Sequence, residues 1–335
     1  MKISMKACGV AAVTLVAASL LLWPLAGSAQ GAGKGKYDGL VIRWATQPSQ
    51  TQAAIAEELG FFREEFEKDG ITVDLRTFAS GPPIIEAFAA GALDFGQVGN
   101  QPTIQAIANG IDIKVLGAYM ASDGSATGLL AKNGAGIEKL ADLKGKKIGF
   151  TVGSEAHHVL LRFLQAARLS EDEVRLVNLP IGDIGTSLAS GSVDAAITWQ
   201  PYLAGVLEGG YAYLVQTAAG YMNAPSVVIG KGEFLEKYPE VVVRLFKVLN
   251  RSYLWSKEHE AESIRLLSKR TGVAEKSYKA SFDTLSFSLY LDEKQIEFLG
   301  ETEAFLLKQG TIRRPIDIRK HIDTSFIIEA GVSKE

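Results

Sequence analysis

The chain has 335 residues, 47% hydrophobic and 22% charged, with a formal net charge of −3. That length suits one large or two medium domains with a sizeable core. The small charge, with no basic stripe interleaved with aromatics, gives nucleic-acid binding no support. The single cysteine, Cys8, rules out an internal disulfide and a multi-thiolate metal site.

The first thirty residues stand apart. Lys2 and Lys6 precede an apolar run from Ala7 to Ala26, and Ala26-Gly27-Ser28-Ala29-Gln30 follows. A basic start, an apolar middle and a small-residue exit read as a secretory signal peptide over 1–29, cut after Ala29. The competing reading, an uncleaved anchor, is opposed by Pro24 and by that exit. Cys8 precedes the apolar run, away from the position of a lipoprotein cysteine at its end. Cleavage leaves a mature chain with no cysteine, and the loss of Lys2 and Lys6 takes the charge from −3 to −5. The expected location is the periplasm.

After a glycine- and lysine-rich leader, strand-like and helix-like segments alternate. Leu40–Ala45 reads as a strand, Gln50–Phe66 as one amphipathic helix and Ile71–Phe78 as a strand. A helix over Pro82–Ala90, a strand over Leu93–Val98, a helix over Pro102–Ala108 and a strand over Ile113–Ala118 follow. The order then repeats. Strands are predicted at Lys146–Thr151, Val174–Leu179, Ala195–Trp199 and Tyr213–Gln216, and helices at Glu155–Ala167, Ile184–Ser190 and Pro201–Leu207. From Lys231 onward the pattern is helical, with Phe234–Lys257, Glu258–Lys269, Lys276–Phe287 and Glu293–Lys308 as the clearest segments. Alternating strands and helices imply two parallel α/β units and a helical C-terminal third. In such sheets ligands bind beyond the carboxyl ends of the strands.

Three strand-to-helix joints are built of small residues: Ala79-Ser80-Gly81-Pro82-Pro83, Gly99-Asn100-Gln101-Pro102 and Val152-Gly153-Ser154-Glu155. Bare backbone at the positive end of a helix attracts a sulfonate, sulfate or carboxylate. Ordinary capping explains any one such joint, and three together favour a binding role. Ser80 and Ser154 are candidate caps or donors. Pro82 and Pro83 have no N–H, so donors at that joint come from Ser80, Gly81, Ile84 or Ile85. Gly81→Val is expected to abolish binding and leave the fold intact. Trp199 ends a strand and offers either an apolar wall with one N–H donor or plain core packing. His157 lies one turn after Ser154 and is a candidate donor to an anion. The remaining histidines form no metal-ligand set, so neither a metal nor a cofactor is expected. A lipase-type Gly-x-Ser-x-Gly, a Walker loop and a dinucleotide fingerprint are all missing from the sequence.

The segments "SGPPIIEAFAAGALDFGQVGNQPTIQAIANG" (80–110), "LKGKKIGFTVGSEAHHVLLRFLQAARLSEDEV" (143–174) and "ASGSVDAAITWQPYLA" (189–204) resemble the periplasmic solute-binding proteins for aliphatic sulfonates, taurine and nitrate that serve ATP-driven (ABC) importers. The resemblance implies an α/β, two-lobed periplasmic-binding-protein fold of type II, each lobe a mainly parallel sheet flanked by helices. One lobe would hold 38–129 and 219–335 and the other 130–218, with the ligand cleft between them. It implicates Gln47, Ser80, Gly81 and Pro82 from the first lobe, and Ser154, His157 and Trp199 from the second. Asn100 and Gln101 lie at the adjoining helix entry, and Asn223 on the return crossover. The implied partners are a small organic anion, foremost an aliphatic sulfonate, and an inner-membrane permease, with the protein itself a monomer.

Two departures from the family pattern bear on the ligand. Gly99-Asn100 stands where Gly-Asp is frequent, and Trp199-Gln200-Pro201-Tyr202 where Trp-Asp-Pro-Tyr is frequent. Both remove a carboxylate that would suit a ligand amine. The lean is therefore toward a simple anion over an amino-sulfonate, although Glu155 could restore one carboxylate. Taurine, nitrate, a carboxylate and a pyrimidine precursor are the alternative ligands. Two further functions compete: an enzyme on the same fold, desulfinase-like or hydrolase-like, and a sensory protein presenting ligand to a receptor.

Overall fold

The computed structural model of the protein describes residues 36–222 and 225–333. The predicted signal segment 1–29, Cys8 and Asn223 lie outside the described residues. Among the described residues no helix is long and apolar enough to cross a membrane.

The first half runs β1 (Val41–Thr46), α1 (Gln52–Glu58), α2 (Phe61–Phe66), β2 (Thr72–Thr77), α3 (Gly81–Ala89), β3 (Phe95–Val98), α4 (Asn100–Ala108) and β4 (Ile113–Ala121). The chain then enters a second half: β5 (Thr127–Lys132), β6 (Lys147–Phe150), α5 (Glu155–Ala167), β7 (Arg175–Asn178), α6 (Ile184–Ser190), β8 (Ala195–Trp199), α7 (Tyr202–Glu208) and β9 (Ala212–Thr217). It returns through β10 (Pro225–Lys231) and α8 (Gly232–Lys237) to the long α9 (Pro239–Glu258). The tail comprises α10 (Glu260–Thr271), α11 (Glu275–Thr284), β11 (Ser286–Phe287), α12 (Glu293–Lys308) and α13 (Ser325–Glu329).

Two sheets result. The first has strand order β11-β4-β10-β3-β1-β2 and the second β7-β6-β8-β5-β9. Strands β1, β2 and β3 pair in parallel, as do β6, β7 and β8. The mainly parallel sheets expected from the family fold are present, and each also carries antiparallel strands that the alternation of strands and helices did not indicate. β10 pairs antiparallel with both β3 and β4, and β5 antiparallel with both β8 and β9. Each is the strand on which the chain arrives from the other half, and each is inserted between strands laid down separately.

Local chemistry explains the other differences. The helix expected over Gln50–Phe66 is two helices, because Gly60 takes a left-handed conformation (φ 75°) that ends α1. The helix expected over Phe234–Lys257 divides at Tyr238, where Pro239 begins α9.

Apolar side chains cover both faces of the first sheet. Trp44 stacks on Phe95 with centroids 5.3 Å apart, under Leu245, Phe246 and Leu249 of α9. The opposite face carries Ile84, Ile104 and Leu306 from α3, α4 and α12. In the second half Val159, Leu160 and Phe163 of α5 pack on Ile148, Ala196 and Ile197. Leu161 of the same helix is buried in the first half's cluster instead, so α5 is packed on two sides.

The two crossings between halves run side by side. Gly124 has φ 97°, and a Cβ there would lie 2.3 Å from the Ala218 carbonyl oxygen, so only glycine lets the two stretches of chain approach this closely. The Ala218 N–H donates to Thr127 O at 2.8 Å, which ties the two crossings together.

Candidate functional site

A partly enclosed cavity lies between the halves. Its walls come from the carboxyl ends of the parallel strands: Gln47 after β1, Gly81 after β2, Gly99 after β3, Ser154 and Glu155 after β6, and Trp199 and Gln200 at β8. The antiparallel strands add Tyr119 and Met120 from β4, Thr127 from β5 and Ser226 from β10.

Three helices start at this cavity, and their first turns differ in what they leave unpaired. At α5 the Ser154 hydroxyl accepts from Ala156 N at 3.2 Å and donates to Thr151 O at 2.7 Å, so it serves as the cap. At α4 the Asn100 side-chain oxygen accepts from Gln101 N, Pro102 has no N–H, and Thr103 N bonds Gly99 O. At α3 Ser80 makes no capping bond with its side chain, and Pro82 and Pro83 contribute no donors. The amides of Gly81, Asn100 and Glu155 find no protein acceptor among the described residues. Gly81 and Glu155 line the cavity and Asn100 is buried just behind its Gly99 wall; unpaired amides at helix starts attract anions.

The cavity carries little charge. Among the described residues no lysine, arginine or histidine lines the cavity, and one carboxyl group, that of Glu155, does. Thr127 Oγ1 donates to Glu155 Oε1 at 2.6 Å. Burial drives the Glu155 carboxyl above the usual carboxylate range, and the Thr127 bond only partly opposes it. The Tyr119 phenol is raised by burial too and stays neutral, accepting from Gln50 Nε2 at 3.1 Å.

Of the residues expected from sequence, Gln47, Gly81, Ser154 and Trp199 line this cavity. Gln47 donates through Nε2 to Gln97 O at 3.2 Å. Ser80 is buried at the N-cap of α3. Pro82 faces the other half: a Cβ built on Gly153 would lie 3.5 Å from Pro82 Cγ. Asn100 and Gln101 are fully buried, with Asn100 Nδ2 and Gln101 Oε1 unpaired. His157 sits behind the joint, its Nδ1 accepting from Gly153 N at 3.3 Å with Gln101 Nε2 equally close. Burial lowers the His157 pKa, which opposes the protonated donor considered from sequence. Nothing in the sequence pattern pointed to Tyr119, Thr127 or Ser226: Tyr119 lies just past the predicted end of β4, and Thr127 and Ser226 lie on β5 and β10, the strands on which the chain arrives from the other half.

The model of the NMT1/THI5-like family matches residues 47–263, spanning both halves and all these wall segments up to α10. The chain belongs to the NMT1/THI5-like family. Among its relatives is a putative aliphatic sulfonates-binding protein of Bacillus subtilis (strain 168), 33% identical over 320 residues, covering 94% of this chain and 96% of that one. The taurine-binding periplasmic protein of Escherichia coli (strain K12) is 30% identical over 304 residues, covering 84% of this chain and 91% of its own. The alkanesulfonate-binding protein SsuA of Xanthomonas axonopodis pv. citri, solved bound to MOPS, superposes with a TM-score of 0.77 at 22% identity over 85% of this chain and 99% of that one. The enzyme DSZB, solved in a mutant form in complex with biphenyl-2-sulfinic acid, shares the fold at a TM-score of 0.69 and 20% identity, over 87% and 98% of the two chains. This NMT1/THI5-like chain therefore has the two-lobed periplasmic-binding-protein fold, with its cavity where the lobes meet.

Proposed function

We propose that this protein is the exported solute-binding component of an ABC importer and holds a small organic anion, foremost an aliphatic sulfonate, in the interlobe cavity. One observation carries the reading: three helix starts converge on one cavity with the amides of Gly81, Asn100 and Glu155 unpaired. Fixed backbone dipoles in a closed cleft bind an anion without a cationic side chain. Trp199 and Met120 supply apolar surface for a short tail. The sulfonate- and taurine-binding names of the relatives support the same ligand class.

The lobes are taken as 38–129 with 219–335, and 130–218, hinged where the two crossings run side by side. Ligand closes that hinge and presents the closed form to a membrane permease. The signal pattern at 1–29 supports export to the periplasm, and the mature chain acts as a monomer.

An enzyme is the weaker reading, although DSZB shares the fold. The Ser154 hydroxyl is committed to its cap and His157 Nδ1 accepts from Gly153, so no serine–histidine pair is set among the described residues. A thermal-shift screen over alkanesulfonates, taurine, nitrate, carboxylates and pyrimidines tests the proposal. A sulfonate at about 100 times its Kd should add about 2.7 kcal/mol of stability. A screen in which only a non-anionic pyrimidine stabilises the protein would refute the anion reading.

A further inference from the structure

Resting on the anion-binding reading, one group in the cavity still lacks a role. Glu155 is the first residue of α5 and its carboxyl group is enclosed where the two lobes meet. Its Oε1 accepts from Thr127, while Oε2 bonds no protein group among the described residues. Oε2 points across the cleft: a Cβ built on Gly99, at the start of α4, would lie 4.0 Å from it. It therefore stands beside the amides left for the anion.

No charge in the described surroundings balances it. The start of α4 presents Gly99 and Pro102, β5 presents Thr127, and β8 presents Trp199 and Gln200, none of them charged. The titratable neighbours are Tyr119 on β4 and His157 on its own helix, and burial keeps both neutral. An ionised Glu155 and a ligand oxyanion would thus face each other in a closed, water-poor space, where like charges are poorly screened.

We propose that Glu155 reads the charge of the ligand: a simple monoanion enters only as Glu155 takes up a proton from solvent, whereas a ligand with an ammonium beside its anionic head enters without one. In the first case the new O–H on Oε2 donates to the ligand oxyanion. In the second the carboxylate accepts from the ammonium. The Asn100 and Gln200 departures from the family pattern leave Glu155 as the carboxyl group available at this cavity for that choice.

The consequence is a proton linkage. A folded-state pKa raised by burial places the window above the ordinary carboxylate range. Affinity for a simple anion falls as pH rises through that window, approaching about tenfold per pH unit. Affinity for an amino-sulfonate stays level while its amine remains protonated.

Titration calorimetry of the mature chain with ethanesulfonate and with 2-aminoethanesulfonate, in buffers of different ionisation heat from about pH 6 to about pH 9, tests this. Ethanesulfonate should take up close to one proton at the upper end and weaken at least about threefold per pH unit, and the amino-sulfonate should take up none. Glu155→Gln should bind ethanesulfonate with no proton uptake and a flat pH profile. Ethanesulfonate bound by the natural protein without proton uptake anywhere in the range overturns the inference, as does a pH slope that survives in Glu155→Gln. The proton count on the natural protein decides even if the variant fails to fold. If neither sulfonate binds, the anion-binding reading itself is contradicted and this inference falls with it.

Discussion

Gly81 answers to two demands. Its amide is one of the free donors at the cavity, and its missing side chain makes room for a neighbouring helix. A Cβ on Gly81 would lie 2.8 Å from Pro102 Cγ and 3.3 Å from Val98 Cγ1. The bareness of Ser80-Gly81-Pro82-Pro83 was legible in the sequence, but its second cause was not, because Pro102 is distant in the chain. The expectation that Gly81→Val leaves the fold intact is therefore revised. Even Gly81→Ala must push α3 from α4, at about 1–3 kcal/mol. Urea unfolding checks the stability, and ligand titration should show weakened binding in the same variant.

His158 gives a second prediction at this scale. It is fully buried against Phe305, with ring centroids 5.0 Å apart, and Arg162 Nε donates to its Nε2 at 3.1 Å. Burial first, then the Arg162 and His157 charges, push its pKa down to about 3. The unfolded chain takes up a proton near pH 6.5 that the native chain refuses. Stability is thus unaffected above that pH and is lost as pH falls toward about 3, by up to about 1.4 kcal/mol per pH unit. His158→Gln should flatten this part of the acid limb in urea unfolding measured against pH. An unchanged limb would place the acid sensitivity elsewhere.

At the scale of elements, α5 joins the lobes. Its Val159, Leu160 and Phe163 face the second sheet, while Leu161 and His158 face α4 and α12 of the first lobe. Leu161→Ala should cost about 2–5 kcal/mol, as for a fully packed leucine. Because the lost contact bridges the lobes, ligand affinity should drop as well, whereas a leucine confined to one lobe would affect stability alone. The limits of α5, α6, β8 and α12 were legible because apolar spacing and caps agree there. Strands β5 ("TGLLAK") and β10 ("PSVVIGK") were missed, since their fully buried apolar runs show no alternation. That omission hid Thr127 and Ser226 from the predicted site, while Tyr119 lies one residue past the predicted end of β4.

At the scale of the molecule, the two crossings decide whether the lobes act together. Gly124→Ala sets a strained φ and a backbone overlap at Ala218, where the two crossings run side by side. It should destabilise the whole protein by at least about 1–3 kcal/mol, measured as a lowered midpoint of thermal unfolding. The parallel cores of both lobes could be read from strand and helix alternation. The return of the chain to the first sheet could not, because β10 pairs with strands laid down long before it and such distant pairing leaves no local trace.

The central claim is that an organic anion sits at the three helix starts. A crystal structure of the mature chain soaked to saturation with ethanesulfonate tests it most directly. The account predicts the sulfonate oxygens within hydrogen-bond reach of the amides of Gly81, Asn100 and Glu155, with the tail toward Trp199. A sulfonate bound elsewhere, or a cleft that holds none at saturation, would contradict it.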